Sequence, residues 1–369
     1  MRGLSHVLAR EPNGERRMKR RTWAGVIAFF LVVVFTVVAA REPVPFVTFA
    51  PGPTVNVLGK FDGKPIIEVS GRETYLDKGG LRLVTVVPSG AERKVSLAEL
   101  VSAWVDPNRA VYPYEAIYQP KDTRASVRRE SSVQMVSSQD NAVAAALGAL
   151  GVKYQTAVKI AEVEDGGPAA GKLEVGDLVL AVDGDKVRTL EQLTAKIRPQ
   201  PVGSDLTLQV RRDGKVLQEE LTTTGSPTDA KASAIKVQIA PSYEFPINVD
   251  LNISENIGGP SGGLMFALGI YDVLTPGSLT GGKTIAGTGE IDAAGTVGEI
   301  GGIQQKLVGA QDDGAKLFLV PAANCADALD GNSDPDKMRL VKVTNLSDAI
   351  TEVQAWVKDP NAELTRCTR

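Results

Sequence analysis

From Trp23 to Ala40 the chain carries eighteen residues without a charge, and Thr36 supplies their single hydroxyl. That length is enough for one helix to cross a hydrocarbon core. Beyond it the pattern changes to short alternating or apolar runs broken by Gly, Pro and Asp. Residues 43–59 (PVPFVTFAPGPTVNVLG) are rich in Pro and Gly and read as a stalk or an extended entry to the body. Pro65–Val69 and Leu81–Val87 (LRLVTVV) read as strands, Leu97–Trp104 as a helix, and 106–130 as charged loop. Met135–Leu150 has helical spacing, with Ser137 or Ser138 as cap and Gly151 as stop. Ala157–Val163 predicts a strand and Leu190–Ile197 a helix. Leu206–Arg212 and Val216–Thr222, joined by Asp213-Gly214, predict a hairpin. After a small, polar linker (225–236) come strands at Val237–Ala240 and Ile247–Leu251, a helix at Leu264–Leu274, and a strand at Lys316–Val320.

Charge gives the apolar run a direction. Residues 1–21 hold seven basic groups (Arg2, Arg10, Arg16, Arg17, Lys19, Arg20, Arg21) against Glu11 and Glu15. The positive-inside rule then leaves residues 1–21 cytoplasmic, makes 22–41 a single-pass anchor in the lipid membrane, and puts the rest outside the cell. Val38-Ala39-Ala40 would also serve as a signal cleavage site, although a signal core is usually shorter. Removing the tail's groups from the 41 basic and 44 acidic residues leaves 34 and 42, an acidic body that argues against nucleic-acid binding. One histidine, His6, and two cysteines, Cys325 and Cys367, leave no ligand set for zinc, and no metal or cofactor is expected. A disulfide between the cysteines is open, with Cys367 in what reads as a frayed terminus. With His6 in the tail, no Ser-His-Asp or Cys-His arrangement can form in the body, so nucleophilic hydrolysis would need a lysine as base.

Two stretches carry specific resemblances. Pro168-Ala169-Ala170-Gly171, Leu173, Gly176-Asp177, Leu180, Val182 and Asp183-Gly184 resemble the central part of bacterial PDZ domains. PDZ domains take an extended peptide as an added strand. The resemblance therefore implies a peptide groove beside Ala157–Val163, near Gly151–Tyr154.

The second lies around Gly258-Gly259-Pro260-Ser261-Gly262-Gly263 and Thr288–Pro321, where a turn at Ala294-Gly295 and a Gly301-Gly302 pair precede Lys306. A serine in a glycine-rich turn at a helix start exposes its Oγ, and backbone N–H groups lie near it. Together these segments resemble the proteolytic domain of the Lon family. The resemblance puts the nucleophile at Ser261, framed by Gly259, Pro260 and Gly262. It puts the base at Lys306 and a supporting hydroxyl at Thr288. Burial beside Ile303, Leu307 and Ala310 would lower the lysine pKa and leave the amine neutral. Many Lon proteins carry an acidic residue where Gly258 stands here.

The expected fold class is α+β: a Lon-like proteolytic domain of mixed sheet and helices, an inserted PDZ-like β-rich domain, and one N-terminal transmembrane helix. The expected divisions are 42–150 for the stalk and first part of the Lon-like domain, 151–225 for the PDZ-like domain, 226–358 for the catalytic part, and 359–369 for a tail. Val341–Val343 and Ser347–Val357 would supply its last strand and helix. This arrangement resembles a membrane-bound Lon-like protease group of Gram-positive bacteria. It implies an ATP-independent serine endopeptidase acting on extracytoplasmic proteins or peptides, with a homo-oligomeric ring compatible with the resemblance. The competing reading is an inactive, membrane-tethered PDZ scaffold or chaperone. A penicillin-binding arrangement fails, because its Ser and Lys lie three apart on one helix, whereas Ser261 and Lys306 are 45 apart. Gly277–Thr284 (GSLTGGKT) spells a P-loop, yet it follows a helix and leads into a strand, the reverse of the context a phosphate cradle needs.

Overall fold

The computed structural model describes residues 13–76, 78–227, 229–254 and 257–369, with 13–21 as helical backbone only. Arg2, Arg10 and His6 lie outside the described residues. Helix α1 (Asn13–Arg41) includes Thr22–Arg41, whose mean hydropathy is 2.6 and of which none is buried in the protein. Such a helix is long and apolar enough to cross a membrane.

The chain then forms β1 (Phe46–Asn56), β2 (Ile67–Ser70), β3 (Gly80–Pro88), α2 (Leu97–Val105), β4 (Ala110–Pro113) and α3 (Arg124–Ala149). A second group follows: β5 (Gln155–Val163), β6 (Leu178–Val182), α4 (Leu190–Ile197), β7 (Asp205–Arg212), β8 (Lys215–Thr222) and β9 (Val237–Glu244). The last group is β10 (Asn248–Leu251), α5 (Gly263–Leu274), β11 (Thr284–Gly287), β12 (Glu290–Ile291), β13 (Val297–Gly298), α6 (Ile303–Asp312), β14 (Leu317–Pro321), α7 (Cys325–Leu329), β15 (Arg339–Val343) and α8 (Leu346–Lys358).

The first and last groups share one mixed sheet in the order β15-β14-β11-β3-β1-β4. Its neighbours from β15 to β3 run parallel, and β1 is antiparallel to both β3 and β4. One face carries Leu81, Leu83, Ile285, Leu317 and Leu319 against α3, α5 and α8. The other carries Ala286, Phe318 and Val320 against Ile303, Leu307 and Ala310 of α6. Helix α5 is apolar nearly all round and correspondingly buried nearly all round. Its place behind β3 and β11 brings its first turn to the sheet's midline.

The middle group builds its own antiparallel sheet, β8-β7-β6-β5-β9, over a separate core that includes Val158, Ile160, Val179, Leu193, Leu208 and Leu221. Its tight turns run through positive φ: Asp183 and Gly184 at 49° and 85°, Asp213 and Gly214 at 49° and 75°.

Several expectations are corrected. Residues 46–56 are not a stalk but an internal strand of the larger sheet. The register shifts between Pro51 and Thr54, so Pro53 falls at an irregularity and Pro51, opposite Val86, at its border. The 106–130 stretch contains β4, a short helix and the start of α3. Helix α3 is capped by Thr123, not by Ser137 or Ser138, and both serines lie inside it. The edge of β5 expected to receive a peptide is already filled by β9, which runs antiparallel along it. The terminus is not frayed: Cys367 is bonded to Cys325, and the Lys342 amide donates to the Thr365 carbonyl.

Candidate active site

Ser261 lies in a 3₁₀ turn, Pro260–Gly262, that opens α5. The chain enters this turn through Gly259 at φ 85°, a conformation that costs an L side chain dearly. A Cβ on Gly262 would stand 2.5 Å from Leu83 Cδ1, so glycine lets the turn press against β3. From the other side α3 holds the loop. The Ser138 hydroxyl, 3% exposed, donates to the Pro260 carbonyl at 2.9 Å, and the Gly259 amide donates to the Ser131 carbonyl.

Lys306 enters from α6, whose N-cap is Gly302 in the left-handed region at φ 69°. Its side chain is buried, and Nζ donates to Thr288 Oγ1 at 3.2 Å. Thr288 Oγ1 in turn donates to the Ser261 carbonyl at 3.0 Å, which also accepts from the Gly289 amide at 2.9 Å. The hydroxyl proton of Thr288 is thus committed to the serine backbone, and its lone pair faces the lysine. Burial lowers the Lys306 pKa to about 8, and the charge of Glu290 works in the opposite direction. Burial raises the Glu290 carboxyl in turn, with Lys306 drawing it back. Among the described residues Lys306 makes no ion pair at salt-bridge distance.

Ser261 and Lys306 open on one cleft of about 400 Å³, whose apolar wall includes Leu83, Val86, Met135 and Ile257. Gly259 and Gly262 line this cleft with them, Pro260 lies in the turn between, and Thr288 sits behind the cleft, bonded to both Lys306 Nζ and the Ser261 carbonyl. Three contributors were not legible as such. Glu290 was in view two residues after Thr288, but its electrostatic bearing on Lys306 needed the fold. Ser138 read as one of two candidate helix caps, and Met135 only as the first residue of that helix. Gly258 also gains a reason, since a Cβ there would meet Ser131 Cβ at 2.9 Å. The packing of α3 leaves no room for the acid that many Lon proteins have.

Comparison with known proteins gives two domain matches. Residues 205–355 match the Lon protease (S16) C-terminal proteolytic domain, and residues 132–223 match the PDZ domain. The chain carries a Lon-type proteolytic domain and a PDZ domain. It is 35% identical over 105 residues to the Lon protease of Neorickettsia sennetsu, covering 28% of this chain and 12% of that protein. To the Lon protease of Endomicrobium trichonymphae it is 26% identical over 208 residues, covering 55% of this chain and 24% of that one. The chain therefore spans a quarter or less of these relatives. Among solved structures, the PDZ domain of an SdrC-like protein from Listeria monocytogenes is 23% identical, with 22% of this chain and 86% of that chain covered and a TM-score of 0.21. The two domain matches overlap at 205–223, and strand pairing places β7 and β8 in the PDZ-side sheet.

The P-loop-like run lies between α5 and β11 and opens no helix. Lys283 Nζ donates to the Val357 carbonyl at 3.1 Å and stands 4.6 Å from the Trp356 ring centre, so it serves the end of α8.

Proposed function

We propose that this chain is a membrane-anchored, ATP-independent serine endopeptidase that cuts extracytoplasmic proteins or peptides with a Ser261–Lys306 dyad. The observation that carries the reading is a buried lysine, lowered to about 8 and without an ion-pair partner among the described residues, on the same cleft as a serine in a helix-opening turn. Lys306 takes the Ser261 Oγ proton as the oxygen attacks the scissile carbonyl. It returns that proton to the leaving amine, and the acyl-enzyme is then hydrolysed by water. Thr288 orients the amine by accepting one of its N–H groups while anchoring the serine backbone. The apolar wall of the cleft favours substrates with an apolar side chain next to the cut bond.

The Cys325–Cys367 disulfide supports an oxidising, extracytoplasmic setting, as does the basic charge before the span. Peptide binding by the PDZ domain belongs to this reading, at the free edge of β9 rather than at β5. A cavity of about 650 Å³ lies there, lined by Leu193 and Ile197 of α4 and by Val237 and Ile239 of β9. A homo-oligomer is part of the same proposal.

The test is cleavage of an unfolded protein by the full chain in detergent, with and without ATP, beside Ser261→Ala and Lys306→Ala. Loss of cleavage in both variants and indifference to ATP support the dyad. Cleavage retained by either variant refutes it. No cleavage by any form favours the scaffold reading.

A further inference from the structure

Helix α2 has its apolar stripe on the wrong side for a core helix. Leu97, Val101, Trp104 and Val105 stand at i, i+4, i+7 and i+8, the spacing that normally turns inward. Here all four are exposed, Trp104 at 80% and Val105 at 72%. Ala103 is the helix's buried residue. Tyr112, on the neighbouring strand β4, is exposed as well. A contiguous apolar patch of this kind marks a surface that something covers.

The connection of α2 to the rest of the chain indicates what covers it. Helix α1 ends at Arg41, and residues 43–44 pair antiparallel with 95–96. The Leu97 amide donates to the Glu42 carbonyl at 3.0 Å. The first residue of α2 is therefore hydrogen-bonded to the residue that follows the apolar span. Nine residues of helix reach only about 14 Å, so α2 remains close to the level at which the span leaves the lipid. Tryptophan is the side chain best suited to that boundary, with an apolar body and a polar N–H. Lys94, just before α2, is exposed and suits anionic headgroups, while Arg93 beside it pairs with Glu99 of α2 at 3.1 Å.

We propose that α2 lies in the membrane interface with Leu97, Val101, Trp104 and Val105 in the lipid, giving the proteolytic domain a second membrane contact. The inference rests on the membrane-anchored reading above. Such a contact restrains the domain from tumbling on its anchor and holds it close to the bilayer surface.

The test uses the full chain with Trp23→Phe, reconstituted in phosphatidylcholine–phosphatidylglycerol vesicles whose acyl chains are brominated. The remaining tryptophans are Trp104 and Trp356, and Trp356 is 4% exposed within the protein. The expected result is a blue-shifted, lipid-quenched emission that disappears when Trp104→Phe is added. A chain that floats with the vesicles but shows no quenching of Trp104 overturns the docking and leaves the anchor standing. So does a Trp104 signal that varies with protein concentration and not with bromination, which would identify a second copy as the occupant. A chain that fails to float refutes the anchor, and the docking with it.

Discussion

Peptide hydrolysis by this chain should rise with pH through one ionisation near 8, the value to which burial brings Lys306. A general base works only when unprotonated. At pH 7 a group of pKa about 8 is neutral in roughly a tenth of molecules, whereas a lysine at its ordinary value would be neutral in about 0.03%. Burial therefore raises the working fraction about 300-fold, before any effect on intrinsic basicity. Glu290 opposes this by favouring the ammonium. Glu290→Gln removes the negative charge, so the acid limb moves to lower pH and the rate at pH 7 rises. The ceiling on that gain is about tenfold, when all of the lysine is neutral. The observed gain should be smaller, because the Glu290 carboxyl is only partly withdrawn from solvent and its charge is screened. The assay is kcat/KM for a short fluorogenic peptide from about pH 6 to about pH 10. The rate of Ser261 labelling by a fluorophosphonate serves as a second readout. A midpoint at the ordinary lysine value, a flat profile, or an upward shift in Glu290→Gln would refute the reasoning.

Lys306→Met should abolish hydrolysis yet stabilise the fold. The depressed pKa means that the unfolded chain holds more protons between about 8 and the ordinary lysine value. The lysine's penalty is thus fully present below about 8 and is relieved as pH rises through that window. The variant should gain up to about 3 kcal/mol at pH 7, and thermal unfolding at neutral and alkaline pH should show the gap closing. Ser138→Ala leaves the Pro260 carbonyl without its donor, at a cost of about 1–3 kcal/mol. It should lower kcat more than it raises KM, which a Michaelis series on the short peptide would show. Opening the Cys325–Cys367 bridge, whose ends are 42 residues apart, should cost up to about 4 kcal/mol. Unfolding with and without a reductant, beside the double Cys→Ser variant, measures it.

The sequence by itself determined the local pieces. Gly259-Pro260-Ser261-Gly262 specifies a turn with positive φ at Gly259 because few other residues can enter it. Asp183-Gly184 and Asp213-Gly214 specify their turns for the same reason. Eighteen uncharged residues specify an apolar helix. Such features depend on a few consecutive residues and their backbone preferences. Only the tertiary structure decided which edges meet. Residues 46–56 look like a Pro-Gly linker until β3 and β4 pair with both of their sides. Residues 237–244 follow the PDZ match in sequence but close the edge of its sheet. The burial that lowers Lys306, the hold of Ser138 on Pro260 and the outward stripe of α2 likewise arise from segments distant in sequence. An apolar or polar pattern states that a face wants a partner or water; which surface it receives depends on long-range packing, and that packing made α2's stripe an outer face and Lys306 an inner one.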